Sequence, residues 1–203
     1  QQRDQTFTRF DYFGHGLSSG NFTQGTIGHW LSDTLAVIDQ VTEGPVILIG
    51  SSMGGWLMTL ATLARPQRIC GLIGIAAAPD FTEELIWASL TENQRLSFVS
   101  QGIIQAPSQY EQQGFPITLQ LVEEGRSHLV LPKTLPIPCP VHLIHGDADL
   151  DVPAALSLRL ASSIESPQVT VTLIKGGEHR LNTPLALGRL ASLLNEVSQT
   201  NID

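Results

Sequence analysis

The sequence predicts an α/β fold, a mostly parallel sheet with helices on both faces. Three observations predict it. Apolar runs of strand length alternate with longer segments of helical period, the pattern of strands joined by crossover helices. A Gly-x-Ser-x-Gly stretch, Gly50-Ser51-Ser52-Met53-Gly54, lies directly after one apolar run and directly before a helical period. A serine, an aspartate and a histidine then follow in that chain order, each at the carboxyl end of a predicted strand.

The predicted strands are residues 6–12, 46–50, 69–76, 141–145 and 169–174. Between the first two, Ile27, Leu31, Leu35, Ile38 and Val41 recur at steps of three and four, one face of a helix. A second helix starts at Met53, carries Trp56, Leu57 and Leu60, and stops before Pro66. A third follows Pro153, a favoured first-turn residue, with Leu156, Leu160 and Ile164 on its face. The last takes Thr183 as N-cap and Pro184 at the first position, with Leu187, Leu190, Leu194 and Val197 inward.

Residues 80–136 break the alternation with more than fifty positions and no convincing strand. Short helices are expected at 84–90, 92–101 and 117–124, separated by Gly102, Pro107, Gly114 and Pro116. The expected organisation is therefore a core of residues 1–79 and 137–203, with 80–136 as a helical lid over the site.

Composition narrows the function. Apolar residues are 42% of the 203 and charged residues 15%, enough to fill a core and too little charge for a disordered chain. Eleven basic against 19 acidic residues give a net charge of −8, and the basic residues are scattered singly. Nucleic acid is therefore not an expected partner. The longest nearly apolar run, residues 71–79, is about half of what a membrane span needs. No apolar stretch follows Gln1 to Gln5 to make a signal peptide, and Cys70 and Cys139 read as reduced thiols. The expected location is cytoplasmic, or the mitochondrial matrix for a eukaryotic source.

The chemistry gathers at three places. Strand–Gly50-x-Ser52-x-Gly54–helix is the context of a nucleophile elbow, a turn so tight that the flanking glycines let strand and helix approach. The first N–H groups of the following helix lack partners, and that of Met53 faces a developing oxyanion. Downstream, residues 141–145 run into His145-Gly146-Asp147-Ala148-Asp149-Leu150-Asp151, and residues 169–174 into Lys175-Gly176-Gly177-Glu178-His179. Asp149 is the chosen acid, with Asp147 supporting the turn and Asp151 placed to cap a helix. A calcium loop is rejected, because Val152 and Leu158 occupy its glycine and bidentate-acid positions. No zinc spacing joins His29, His128 and His142, and His145 reads as a structural hydrogen-bonder at a strand end. Neither a metal nor an organic cofactor is expected. Gly14-His15-Gly16-Leu17-Ser18-Ser19 is no dinucleotide motif, since Ser19 replaces the third glycine.

With residues 9–18 (Arg-Phe-Asp-Tyr-Phe-Gly-His-Gly-Leu-Ser), Gly50-Ser51-Ser52-Met53-Gly54-Gly55-Trp56, the acidic turn and Gly177-Glu178-His179-Arg180, the chain resembles the α/β-hydrolase superfamily. More narrowly it resembles the mitochondrial acyl-glucuronide esterase and palmitoyl-protein thioesterase group with its bacterial homologues. The resemblance implies a serine hydrolase of carboxylic esters or thioesters: Ser52 nucleophile, His179 base, Asp149 orienting acid and Met53 N–H oxyanion donor. Small-molecule or acyl-protein esters and thioesters are the implied substrates. Trp87, Phe98 and Tyr110 in the lid are candidates for an acyl pocket.

The resemblance also implies a departure. Family members carry about three strands ahead of residues 9–12, and the loop after the third supplies a second oxyanion donor. The expectation is an N-terminally truncated version of the fold with a slot between residues 6–12 and 46–50: foremost a fragment of a longer protein, otherwise a sheet completed by another chain, such as a second copy in a homodimer, or one that closes up unusually. The alternative function is a non-catalytic or truncated α/β-hydrolase-fold protein acting as a binding module.

Overall fold

A computed structural model describes residues 5–106 and 114–200. In chain order these form α1 (Ile27–Gln40), β1 (Val46–Ser51), α2 (Met53–Ala64), β2 (Ile69–Ile75), α3 (Glu92–Gln101), β3 (Ile103–Ala106), β4 (Phe115–Thr118), α4 (Leu119–Gly125), β5 (Val141–Gly146), α5 (Ala155–Ser163), β6 (Val169–Ile174) and α6 (Pro184–Thr200). The main sheet is parallel, in the order β1-β2-β5-β6.

Side chains of each strand alternate between the two faces. Leu48, Leu72 and Leu143 join Trp30 and Ile38 of α1 and Trp56 and Leu57 of α2 in one core. Their neighbours Ile47, Ile73 and Ile144 pack with Ala186, Leu193 and Val197 of α6 in another. Helices therefore cover both faces, as the alternation predicts. The buried stripes are rotated from the predicted ones. In α1 it is Ile27, Trp30, Thr34 and Ile38 that are buried, and Val41 is 64% exposed. In α6, Leu187 is exposed while Leu193 is fully buried.

Residues 6–12 correct the prediction of a first strand: among the described residues they pair with no strand. A strand needs a neighbour to take its backbone hydrogen bonds. These residues line instead a slot of about 1570 Å³, together with Val46, Ile47, Leu48 and Ile49 of β1. Among the described residues, β1 is one edge strand of the main sheet and β6 the other.

Residues 80–136 are less helical than predicted. A π-helical turn spans Thr82–Trp87, and α3 matches the expected 92–101. The third expected helix, 117–124, starts late, because β3 and β4 form an antiparallel hairpin with Ile104 opposite Ile117 and Ile103 opposite Thr118. The Thr118 hydroxyl then caps α4 by accepting from the Leu121 N–H at 3.1 Å. Several ties hold the segment to the core. Arg159 of α5 donates to both Glu84 oxygens, at 2.5 and 2.8 Å. Glu124 accepts the Gly28 N–H at the start of α1, at 3.1 and 3.2 Å, and Trp56 Nε1 donates to the His128 carbonyl at 3.0 Å. Buried Asp80 accepts the N–H groups of Val130 and Leu131, each at 2.9 Å.

Candidate active site

Ser52 joins β1 to α2 with φ 53° and ψ −119°, a backbone conformation L-residues rarely adopt. Its surroundings enforce it. The Ser52 N–H donates to the Ile75 carbonyl at 2.9 Å, and its own carbonyl accepts from Gly55 (2.8 Å) and Ala78 (3.0 Å). Strand end, helix start and the residues after β2 are thereby clamped around one serine.

The glycines divide their roles differently from the motif's reading. A Cβ on Gly50 would lie 2.1 Å from the Gly54 carbonyl oxygen, so no side chain fits there. A Cβ on Gly54 would meet nothing closer than the Tyr12 hydroxyl, at 4.0 Å, an ordinary contact. The second close approach belongs to Gly55, whose Cβ would lie 2.5 Å from the Ala77 Cβ. The structure thus corrects the expectation that Gly54 is needed for packing. Met53 opens α2, and the N–H of a first helical residue has no partner within the helix.

Across the sheet, Asp149 follows β5 and His179 follows β6. His179 Nδ1 lies 2.8 Å from Asp149 Oδ2. The carboxylate is fully buried, and the imidazole is 16% exposed. Asp149 Oδ1 accepts the N–H groups of Asp151 (3.0 Å) and Val152 (2.9 Å), while His145 Nε2 lies 3.2 Å from Oδ2. Burial alone would raise the Asp149 pKa. Hydrogen bonds from His145, His179 and the Val152 amide outweigh it and hold the carboxyl well below its usual range. Asp149 is therefore an anion at neutral pH, and its chief polar neighbour is His179.

The other acids of the turn do other things. Asp147 takes the Lys175 ammonium at 2.9 Å and the Gly176 N–H at 2.6 Å, bracing the two loops as expected. Asp151 caps no helix: the N-cap of α5 is Ala154. Asp149, Asp151 and His179 offer ligand atoms within 4.8 Å of one another, yet both Asp149 oxygens already accept N–H groups. Ser52 lies at the end of β1, two strands from β5. Its neighbour Ser51 and the neighbour of His179, Arg180, line one small cavity of about 110 Å³.

The lid candidates are placed unevenly. Trp87 packs against the core, with the Arg126 guanidinium 4.7 Å and that of Arg95 5.3 Å from its ring centre. Phe98 is fully buried, 6.3 Å from the Trp87 ring. Its side chain therefore supports the segment from inside and offers no surface. Tyr110 lies outside the described residues. Sequence reasoning did not connect His145 with Asp149. The signal available was its place four residues ahead of the acid, at the end of the same strand.

The profile of the serine aminopeptidase S33 family matches residues 1–108. The mitochondrial palmitoyl-protein thioesterase ABHD10 of Mus musculus is 44% identical over 176 residues. The chain belongs to the S33 family of α/β hydrolases. That comparison covers 86% of this α/β hydrolase and 59% of the mouse protein, so the chain spans about three-fifths of its relative's length. In solved structures, mouse α/β-hydrolase domain-containing protein 10 superposes with a TM-score of 0.88 and 38% identity, over 95% of this chain and 77% of that one. A hydrolase of Agrobacterium vitis S4 gives 0.89 and 36%, over 93% of this chain and 75% of its own. Among the described residues of this α/β hydrolase, no helix is long and apolar enough to cross a membrane.

Proposed function

We propose that the protein is a serine hydrolase of carboxylic esters or thioesters, working through an acyl-enzyme on Ser52, His179 and Asp149. The observation that carries the reading is the 2.8 Å bond from His179 Nδ1 to a buried, ionised Asp149, at the sheet end where strain presents Ser52. Such a pair fixes the imidazole with its proton on Nδ1, leaving Nε2 as the base.

In the proposed cycle, His179 Nε2 takes the Ser52 Oγ proton as the oxygen attacks the acyl carbon. The carbonyl oxygen gains charge and is met by the Met53 N–H. The imidazolium, stabilised by Asp149, then protonates the departing alcohol or thiol, leaving the acyl group on Ser52. His179 next removes a proton from water, which attacks the acyl-enzyme, and proton return to Ser52 releases the acid. The names of the relatives support an acyl ester or thioester as substrate. Besides the thioesterases, a pimeloyl-[acyl-carrier protein] methyl ester esterase of Edwardsiella ictaluri is 34% identical over 91 residues. The word mitochondrial in the thioesterase names supports a mitochondrial location for a eukaryotic source.

One observation favours the alternative of a non-catalytic binding module: the open slot beside β1, which leaves the strand carrying Ser52 at a sheet edge. Turnover separates the readings. The protein is expected to hydrolyse p-nitrophenyl esters and acyl-coenzyme A thioesters, and Ser52→Ala to lose at least three orders of magnitude in kcat. Ser52→Ala with His179→Ala should lose little more than either alone, because members of a triad act as one unit. Tight acyl-ligand binding without turnover by the folded wild type would establish the alternative.

A further inference from the structure

The catalytic acid is shared between two imidazoles, and the mechanism above uses only one. We propose that His145 is a positioning residue of the triad: a buried imidazole whose Nε2–H, held by the Val152 carbonyl, also lies against the Asp149 oxygen on which His179 rests. The inference depends on the serine-hydrolase reading.

The argument starts from satisfaction of a buried ring. His145 is fully buried at the end of β5, where each ring nitrogen needs a partner. Nε2 lies 2.9 Å from the Val152 carbonyl oxygen and 3.2 Å from Asp149 Oδ2. A carbonyl can only accept, and so can the ionised Asp149, so the proton sits on Nε2. Nδ1 is then an acceptor, and its partner is the Ser157 hydroxyl of α5 at 2.7 Å, itself fully buried. The Val152 carbonyl sets the tautomer of His145, and the Ser157 hydroxyl, able to donate or accept, completes the ring's hydrogen bonds.

The consequence falls on the carboxylate. Oδ1 accepts two backbone N–H groups and Oδ2 faces two imidazoles, at 2.8 and 3.2 Å. Rotation of the carboxylate would break bonds on both oxygens. Val152 closes the frame, because its N–H holds Asp149 Oδ1 while its carbonyl holds His145 Nε2. His145 is fully buried and tied through Nε2 to Val152, so its contribution is the position of Oδ2.

The test pairs kinetics with a spectroscopic signature. His145→Leu removes the donor, and His145→Gln keeps an amide N–H able to reach the same place. For a p-nitrophenyl ester, His145→Leu is expected to lower kcat by about 10²-fold, the scale of a misplaced catalytic group, with KM changed less than about twofold. His145→Gln should recover most of that loss at a similar Tm. In proton NMR, the far-downfield His179 Nδ1–H resonance, assigned by its loss in Asp149→Asn and His179→Gln, should move in His145→Leu and return in His145→Gln. If His145→Leu fails to fold, Ser157→Ala carries the test: it keeps the ring but removes the hydroxyl that holds its Nδ1 edge in place, and should move the resonance and lower kcat about tenfold. Loss of turnover in Ser52→Ala combined with unchanged kcat and resonance in folded His145→Leu, or in Ser157→Ala, would overturn the role of His145 alone. Full turnover in Ser52→Ala would overturn the hydrolase reading, and the resonance would still report whether His145 holds Asp149.

Discussion

Ser52 stores strain that only its neighbours can hold, so substitutions beside it should act in proportion to the space they find. Gly50→Ala and Gly55→Ala force a Cβ to 2.1 Å from a carbonyl oxygen and 2.5 Å from the Ala77 Cβ. Each should abolish activity and lower the Tm, as measured by thermal melts beside ester turnover. Gly54→Ala should fold with wild-type stability, since its Cβ meets nothing within contact distance but the Tyr12 hydroxyl. A Gly54→Ala protein as unstable as Gly50→Ala would contradict the packing described for the elbow. The acidic turn gives a second contrast. Asp149→Asn should lower kcat by up to about 10⁴-fold, the scale for a triad acid. Asp147→Asn and Asp151→Asn should stay within about tenfold, because Asp147 braces loops through Lys175 and Gly176 and neither touches His179 Nδ1. Ser52, Asp149 and His179 were legible because each follows an apolar strand at a motif distance. Gly55 and His145 were not, since a spacing rule says nothing of which helix residue meets Ala77 or which ring turns toward a carboxylate.

At the scale of elements, residues 80–136 are held by polar ties more than by sheet pairing. Asp80, at φ 56° and buried, takes two backbone N–H groups across the segment. Removing such an acceptor costs about 1–3 kcal/mol for the donors left unpaired. Asp80→Ala should lower stability by that order, and hydrogen exchange should speed at the Val130 and Leu131 amides while β5 stays protected. Unchanged exchange at those amides would contradict the anchoring. Phe98→Ala should cost about 3–5 kcal/mol, the usual penalty for emptying a buried aromatic site, and reduce turnover equally for short and long acyl esters. Trp87→Ala removes the ring on which two guanidinium groups rest and should change the preference for chain length. Helix α3 was legible to its ends because Thr91 and Gln94 form a capping box and Gly102 closes it in the left-handed region. The β3–β4 hairpin was not: each strand has four residues, one with a proline, too short for alternation to outweigh helical spacing.

Among the described residues, the main sheet ends at β1 on one flank, beside the slot. In a parallel strand alternate backbone groups point to either side, so part of β1 bonds to β2 and the rest faces the slot. Hydrogen exchange should split the β1 amides into a protected and a fast set. Uniform protection would mean that another strand, from a second copy or elsewhere, fills the slot. Four strands of the main sheet and its parallel class were legible, as apolar runs alternating with helical periods. The fate of residues 6–12 was not, because pairing depends on a neighbour and composition carries no trace of one. Acid stability follows from the two buried carboxyls. The Asp149 pKa is lowered, so its contribution is present above the ordinary 3.8 and is lost as pH falls through the folded value. The Asp80 pKa is raised, by burial first, so its ionisation weakens the fold as pH rises above that same 3.8. The stability gap between wild type and Asp149→Asn should therefore narrow on acidification, and that between wild type and Asp80→Asn should not.

The central claim is that Ser52 is the nucleophile of a working triad, and covalent labelling reads it most directly. Incubation of the folded protein with a fluorophosphonate, followed by peptide mass spectrometry, is expected to place one adduct on Ser52. The adduct should be absent in Ser52→Ala and form at least about 10²-fold more slowly in His179→Ala and Asp149→Asn. An adduct on Ser51, or a folded wild type that takes no label, would contradict the account.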